Sequence, residues 1–391
     1  MVIKTDRNRI QDILSRGVAD VVDKKHLEKQ LLSGKKLRIK LGIDPTGPKL
    51  HIGRAITLWK LRAFQELGHQ IVLIIGDFTS LIGDASDKQD ARKQLTEKDI
   101  KENMKEYAKQ LGLILDMKKV ELRHNSEWLG KINLKKMLGL AMNFTAQQMI
   151  QRRNFKERWD SGKPIGVHEL FYPLLQGTDS VAIKADIELG GLDQLFNLKV
   201  GREMQRINNQ APQDIMTVKM LDGLDGRKMS TSWGNVINIL DEPNDMYGKI
   251  MSMKDELIGQ YFELCTQIKI SPSEIKTEPR NVKARLAKEI VRLYHGETKS
   301  IVAEKEFNKV FRSRKMPSTI AEFKTKKTEY SIMDLLKDSG LVASKGEAKR
   351  LVIGKAVKIN NELIDDWKAK IKIKNEMVIK AGKRKFIQIK M

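Results

Sequence analysis

Residues 37–75 read LRIKLGIDPTGPKLHIGRAITLWKLRAFQELGHQIVLII. Leu37 to Ile43 alternates as a strand does, and the turn DPTGP follows at 44–48. From His51 to Leu67, Ile52, Ile56, Trp59 and Ala63 recur at helical spacing, and Leu58, Leu61 and Phe64 widen that face. Gly68 is a helix stop. Ile71 to Ile75 is a short continuous apolar run, the pattern of a strand buried on both faces. Strand, helix, strand in this order reads as a parallel α/β unit.

Such a unit predicts an anion site. A strand that ends in a tight turn and enters a helix presents free backbone N–H groups and the positive end of the helix dipole. Gly42 and Gly53 let a nucleotide approach the backbone, and Asp44 and Thr46 are small polar groups on the turn. His51, at the helix start, can hydrogen-bond a phosphate oxygen and stabilise charge that develops at the α-phosphate. About 180 residues on comes a second motif, DGRKMSTS at 225–232. Lys228 offers a mobile positive charge, and Ser230 and Ser232 offer hydroxyl donors. A loop of this kind can close over a triphosphate and hold the leaving pyrophosphate.

Between them lies FYPLLQGTDS, 171–180. Tyr172, Gln176 and Asp179 stand at i, i+4 and i+7, so they share one helical face. Pro173 suits only the start of that helix. A carboxylate deep in a pocket accepts a hydrogen bond from a phenolic hydroxyl and penalises a ligand that leaves it unpaired. ELGGLDQ, 188–194, follows as a strand end: Gly190 and Gly191 allow close approach, Asp193 can take ribose hydroxyls, and Gln194 can face an amino acid.

The remainder bounds the class of protein. The chain has 391 residues, enough for two or three domains. Its longest strongly apolar run, Ile71 to Ile75, is far too short to span a bilayer. The N-terminus lacks the apolar core of a secretory signal, so a cytoplasmic protein is expected. A single cysteine, Cys265, excludes a disulfide framework and a cysteine-rich zinc site within one chain, and no metal site is expected. The net charge is +23, which favours a polyanionic partner. Residues 331–391 hold 15 Lys plus Arg against 7 Asp plus Glu, about a third of that excess in under a sixth of the chain. Residues 96–165 and 240–310 read as mostly helical, and Phe323 to Thr328 as a linker. The last 61 residues read as helices at Ile332–Leu336 and Gly346–Ile353 followed by three short strands.

These motifs carry a family resemblance. GIDPTGPKLHIG resembles the HIGH region of class I aminoacyl-tRNA synthetases of the tyrosyl type, with Arg54 where a second histidine is usual. DGRKMSTS resembles the KMSKS loop, with Thr231 replacing the second lysine and Arg227 beside it as an alternative charge. YPLLQ…D followed by GG-x-DQ resembles the tyrosyl enzymes more closely than their tryptophanyl relatives. Ser339 to Ile364 resembles the alpha-L RNA-binding domain, of the kind named after ribosomal protein S four.

The resemblance implies an α/β fold: a Rossmann-like catalytic domain (1–225) with a helical connective insertion at about 120–180, a helical domain (226–322), a linker (323–330) and a small α+β RNA-binding domain (331–391). It implies a tyrosine–tRNA ligase that uses ATP with Mg, tyrosine and tRNA(Tyr), in a homodimer. It implies catalytic roles for His51, Arg54, Lys228, Ser230 and Ser232. ATP contacts fall to Gly42, Asp44, Thr46, His51, Gly53, Gly191, Asp193, Lys228 and Met229. Tyrosine contacts fall to Asp84, Tyr172, Gln176, Asp179 and Gln194, and RNA contacts to Lys345, Lys349, Arg350, Lys355 and Lys358. Arg152, Arg153 and Lys156 form a further basic group near the family's dimer contact. Many tyrosyl enzymes have a tyrosine where this chain has Lys40, which leaves the second partner of the substrate hydroxyl open. Two alternatives stand: a tryptophanyl-type enzyme, and an RNA-binding protein on an inactive synthetase scaffold.

Overall fold

The computed structural model describes residues 2–84, 95–311, 321–382 and 385–391. These divide into two compact units, Met1–Glu297 and Thr298–Met391. The first is built on six strands: β1 (Val18–Val22), β2 (Arg38–Ile43), β3 (Gln70–Ile75), β4 (Val120–His124), β5 (Ile187–Gly191) and β6 (Asp214–Val218), in the order β1-β6-β5-β2-β3-β4. Every pairing is parallel except β1 with β6. Val72, Leu73 and Ile74 are fully buried, as a central parallel strand requires. Each such side chain contributes roughly 1.5–3 kcal/mol on leaving water.

The chain leaves β2 towards β3 on one side, while β5 lies on the other. The strand order therefore reverses at β2, and the crevice beyond the carboxyl ends of β2 and β5 is the place where such sheets bind ligands. The Ile52–Leu67 helix makes the β2-to-β3 crossover. It stops at Gly68, whose φ of 100° a side chain would strain. Trp59 on this helix donates from Nε1 to the Tyr294 hydroxyl at 3.1 Å, which ties the later Pro279–His295 helix into the same unit. The expected boundary at 225/226 therefore falls inside the first unit.

Three strands of the first unit escape the sequence reading: β1, β4 and β6. None buries alternate residues: β1 and β4 have no fully buried residue and β6 is buried throughout, so no two-residue burial period marks them. The specificity helix also differs from expectation. It runs Val167–Ile183, so Pro173 lies in its interior and not at its start. Its close packing against the Leu195–Ile207 helix outweighs the missing N–H.

The second unit carries a five-stranded sheet ordered β10-β9-β12-β13-β7, from Glu362–Ile364, Val357–Ile359, Val378–Ala381, Lys385–Lys390 and Ala321–Lys324. A two-stranded ribbon pairs β11 (Lys370–Lys372) with β8 (Glu329–Ser331). Helices Ile332–Asp338 and Lys345–Ile353 bury Leu335, Leu336, Ala348 and Val352 with Ile379 and Ile389. The stretch read as a linker thus contributes strand residues at both ends. Lys324 is an exposed side chain on the paired backbone of β7, and Lys326 and Lys327 are exposed between the two strands, a pattern that a charge count alone reads as unstructured.

Candidate active site

A cleft of about 520 Å³ opens at the carboxyl ends of β2 and β5, within the usual range for a small-ligand site. The first motif forms one wall. A Cβ on Gly42 would meet nothing within 4 Å, so β2 ends on open cleft space. Arg54 Nη2 donates to Thr46 Oγ1 at 3.0 Å, which braces the turn against the helix. His51 is the N-terminal cap residue of the helix but makes no side-chain cap bond. Its ring is buried, and Nδ1 makes no hydrogen bond to the protein. A Cβ on Gly53 would lie 3.1 Å from that Nδ1, so Gly53 makes room for the imidazole itself. Burial first, then the Arg54 and Lys228 charges, lowers the His51 pKa to about 3. The ring is neutral at physiological pH, and can donate one hydrogen bond without bringing charge.

The second motif forms the adjoining wall. Lys228 Nζ lies 3.0 Å from Asp193 Oδ2, which pins the loop to the segment after β5. Asn235 shapes the loop: its Oδ1 accepts from the Ser230 N–H at 2.9 Å, and its Nδ2 donates to Asp225 at 2.8 Å and to the Lys228 carbonyl at 3.1 Å. Arg227 pairs with Asp225 and stacks on Trp233 at 4.7 Å. It is engaged on the outer side of the loop and does not line the cleft. The Ser232 side chain lies outside the described residues.

The specificity helix supplies the floor. The Tyr172 hydroxyl donates to Asp44 Oδ2 at 2.9 Å. Burial, then Asp44 and Asp84, pushes its pKa well above the ordinary value, so it stays a donor. Asp179 accepts from Trp128 Nε1 at 2.8 Å and from Asn125 Nδ2 at 3.3 Å. Burial pushes its carboxyl up to about 7; the Lys40 charge and the Trp128 and Asn125 bonds act in the opposite direction. Asn197 Nδ2 donates to Gln176 Oε1 at 2.9 Å and to Gln194 Oε1 at 3.1 Å, which locks both amides. Gln194 Nε2 donates to Asp84 Oδ2 at 2.6 Å.

Of the cleft residues expected from sequence, Gly42, Asp44, Thr46, His51, Gly53, Arg54, Asp84, Tyr172, Gln176, Asp179, Gly191, Asp193, Gln194, Lys228, Met229 and Ser230 all line this one cleft. Arg152, grouped in the sequence reading with Arg153 and Lys156 as a basic site, is turned inward. It is buried, pairs with Asp84 and lies over the Phe155 ring at 5.2 Å. Arg153 and Lys156 stay exposed. Thr79, Asn125 and Trp128 were missed. Thr79 donates to Asp44 at 2.8 Å, and Asn125 bridges Thr79 to Asp179. Asn125 and Trp128 follow directly on β4, so recognising that strand would have flagged them.

In the second unit Lys345, Lys349, Arg350, Lys355 and Lys358 are all exposed, on the Lys345–Ile353 helix, the turn after it and β9. Lys345 reaches Asp334 at 2.6 Å, and Lys349 lies over the Trp367 ring at 4.1 Å.

A family model described as "tRNA synthetases class I (W and Y)" matches residues 32–312, and one for the "Tyrosine--tRNA ligase SYY-like C-terminal domain" matches 306–389. Fold and cleft are thus those of a class I tRNA synthetase. The tyrosine–tRNA ligase of Thermotoga maritima is 45% identical over 386 residues, covering 96% of each chain. That of Mannheimia succiniciproducens is 44% identical over 98% of this chain and 99% of its own. The chain belongs to the tyrosine–tRNA ligase family. Among solved structures, a C-terminally truncated mitochondrial tyrosyl-tRNA synthetase of Aspergillus nidulans superposes with a TM-score of 0.64 at 21% identity, over 78% of this chain and 95% of its own. The Archaeoglobus fulgidus enzyme, solved with L-tyrosine, gives 0.61 at 22%, over 76% and 100%. At such identity these two speak to the fold alone.

Proposed function

We propose that this chain activates tyrosine with ATP and transfers it to tRNA(Tyr). One observation carries the reading: both ATP-type motifs and the Tyr172–Gln176–Asp179 face wall a single cleft. A tyrosine carboxylate oxygen attacks the α-phosphorus and the bond to pyrophosphate breaks. The terminal ribose hydroxyl of the tRNA then attacks the tyrosyl carbonyl, and AMP leaves. No side-chain nucleophile is needed. His51, Arg54, Lys228 and Ser230 surround the triphosphate as donors, so the gain comes from positioning and charge stabilisation. Gly191 and Asp193 face the ribose. Asp84, Tyr172, Gln176 and Gln194 receive the amino-acid end, and Asp179 receives the phenol.

Mg is read as arriving with ATP. Among the described residues no three His, Cys, Asp or Glu side chains converge on a common point. The decisive assay is ATP–pyrophosphate exchange with tyrosine, tryptophan or neither. Exchange should require tyrosine and stop with EDTA; exchange with tryptophan, or none at all, would select one of the two alternatives. In the same preparation, reversing Lys349, Arg350 and Lys355 to glutamate should leave exchange intact. It should weaken tRNA binding and reduce the salt slope of log K by about 2–3. An unchanged tRNA affinity would remove this patch from the RNA site.

A homodimer is supported by an apolar stripe on the Leu134–Ala141 helix and the residue after it. Leu134, Leu138 and Met142 are 74%, 53% and 86% exposed at i, i+4 and i+8. Such a stripe on a charged protein suits a second copy of itself. Leu138→Glu should turn a dimer into a monomer in sedimentation; an unaffected dimer would place the contact elsewhere. Among the described residues no helix is long and apolar enough to cross a membrane. We infer a cytoplasmic location, which cell fractionation checks.

A further inference from the structure

Lys40 and Glu188 are neighbours in register on the parallel strands β2 and β5. Their side chains are 0% and 1% exposed and meet at 2.8 Å. Neither lines the cleft. Lys40 Nζ also donates to the Gln176 carbonyl at 2.9 Å and to Ser180 Oγ at 2.8 Å. Glu188 in turn accepts from Gln176 Nε2 at 3.0 Å, from Ser180 Oγ at 3.1 Å and from Gln213 Nε2. A Cβ on Gly201 would come within 2.7 Å of Gln213 Nε2 and 3.2 Å of Glu188 Oε2, so the opposing helix is cut away to admit the network.

A buried ion pair is weak support for stability, because desolvation offsets most of the attraction. This one is built around the turn of helix that carries Asp179. Lys40 grips that turn at Gln176 and at Ser180, on either side of Asp179. We propose that the Lys40–Glu188 pair is a positioning device for tyrosine selection: Lys40 fixes the Gln176–Ser180 turn and so holds the Asp179 carboxyl where it accepts the substrate's phenolic hydrogen. The inference rests on reading Asp179 as the hydroxyl acceptor.

The groups acting on Asp179 are the Lys40 charge from β2, the Glu188 charge from β5, and the Trp128 and Asn125 donors that follow β4. Lys40 is the strongest of those that oppose the effect of burial, and Glu188 acts weakly the other way. Removing both charges therefore moves the Asp179 midpoint upward. A protonated Asp179 no longer demands a donor from the ligand, so tyrosine loses its advantage over phenylalanine.

The test compares tyrosine and phenylalanine kcat/KM in pyrophosphate exchange from pH 6 to 9. Two double variants are used, with thermal melts to verify folding. Lys40→Gln with Glu188→Gln removes the charges but keeps hydrogen-bonding groups. Lys40→Met with Glu188→Leu replaces the pair by apolar groups of similar volume. In both, the midpoint of the tyrosine/phenylalanine ratio should rise above that of the parent. The ratio at pH 7 should then fall by up to about tenfold and be regained towards pH 9. Curves that superpose on the parent overturn the proposal. So does a pH-independent loss confined to the Met/Leu variant, which would mean the pair only packs. Asp179→Asn separates this from the underlying assignment: if it leaves the ratio intact, Asp179 is not the hydroxyl acceptor and the earlier reading fails first.

Discussion

Replacing His51 by alanine should lower kcat for tyrosine-dependent pyrophosphate exchange by about 10²-fold or more, the usual loss on removing one preorganised donor at a centre of developing charge. Tyrosine KM should not change. In the proposed reading His51, the cap residue of the helix after β2, faces the phosphates, whereas Tyr172, Gln176 and Asp179 face tyrosine from the specificity helix. The effect is large because the ring is buried between Gly53 and the loop carrying Met229, with Nδ1 making no bond to the protein. The donor is therefore already desolvated and needs no reorganisation when charge develops. Its pKa of about 3 has a second consequence. The imidazole is neutral from pH 5 upward, so no step from His51 titration should occur in the rate near pH 6.5. A tyrosine KM that rises with little loss of kcat would put His51 in the wrong half of the site. An acidic limb near 6.5 that vanishes in His51→Gln would show that the ring titrates in the working range.

Asp179→Ala should collapse the preference for tyrosine over phenylalanine. A buried acceptor left unpaired costs about 1–3 kcal/mol, so its removal should change the ratio of kcat/KM values by roughly 10- to 100-fold. Most of the loss should fall on tyrosine, with phenylalanine unchanged or improved. In the parent protein the carboxyl is pushed up to about 7. The charged form dominates above that pH and the protonated form below it. Discrimination should therefore weaken as pH falls from 8 to 6, and this dependence should be absent in Asp179→Ala. A ratio independent of both the substitution and the pH would remove Asp179 from the hydroxyl site. The Trp128 and Asn125 bonds hold the carboxyl in place without consuming every lone pair, which leaves it an acceptor.

Much of this was legible in residues 37–75, because strand and helix periods act locally and a tight turn between them has few solutions. The motif residues fall where the turn and the helix start must lie, so His51, Asp44 and Thr46 could be named from their positions alone. The i, i+4, i+7 spacing likewise put Tyr172, Gln176 and Asp179 on one face. Where that face points is not a local property. It depends on the strand order β6-β5-β2-β3, which brings the β5 end beside the β2 end although nearly 150 residues separate them in the chain. The β4 strand has no fully buried residue and shows no two-residue burial period, and Asn125 and Trp128 went unnoticed with it.

Two lysines mark the division. Lys228 lies in a motif whose chemistry is written in neighbouring residues, and its sequence alone assigned it to phosphate. Lys40 was legible only as a departure from a pattern. Tertiary structure decided its partner, since the register of β2 on β5 sets it opposite Glu188 in a fully buried position. Local order determines which groups a segment offers. Which charges meet out of water depends on packing between distant segments.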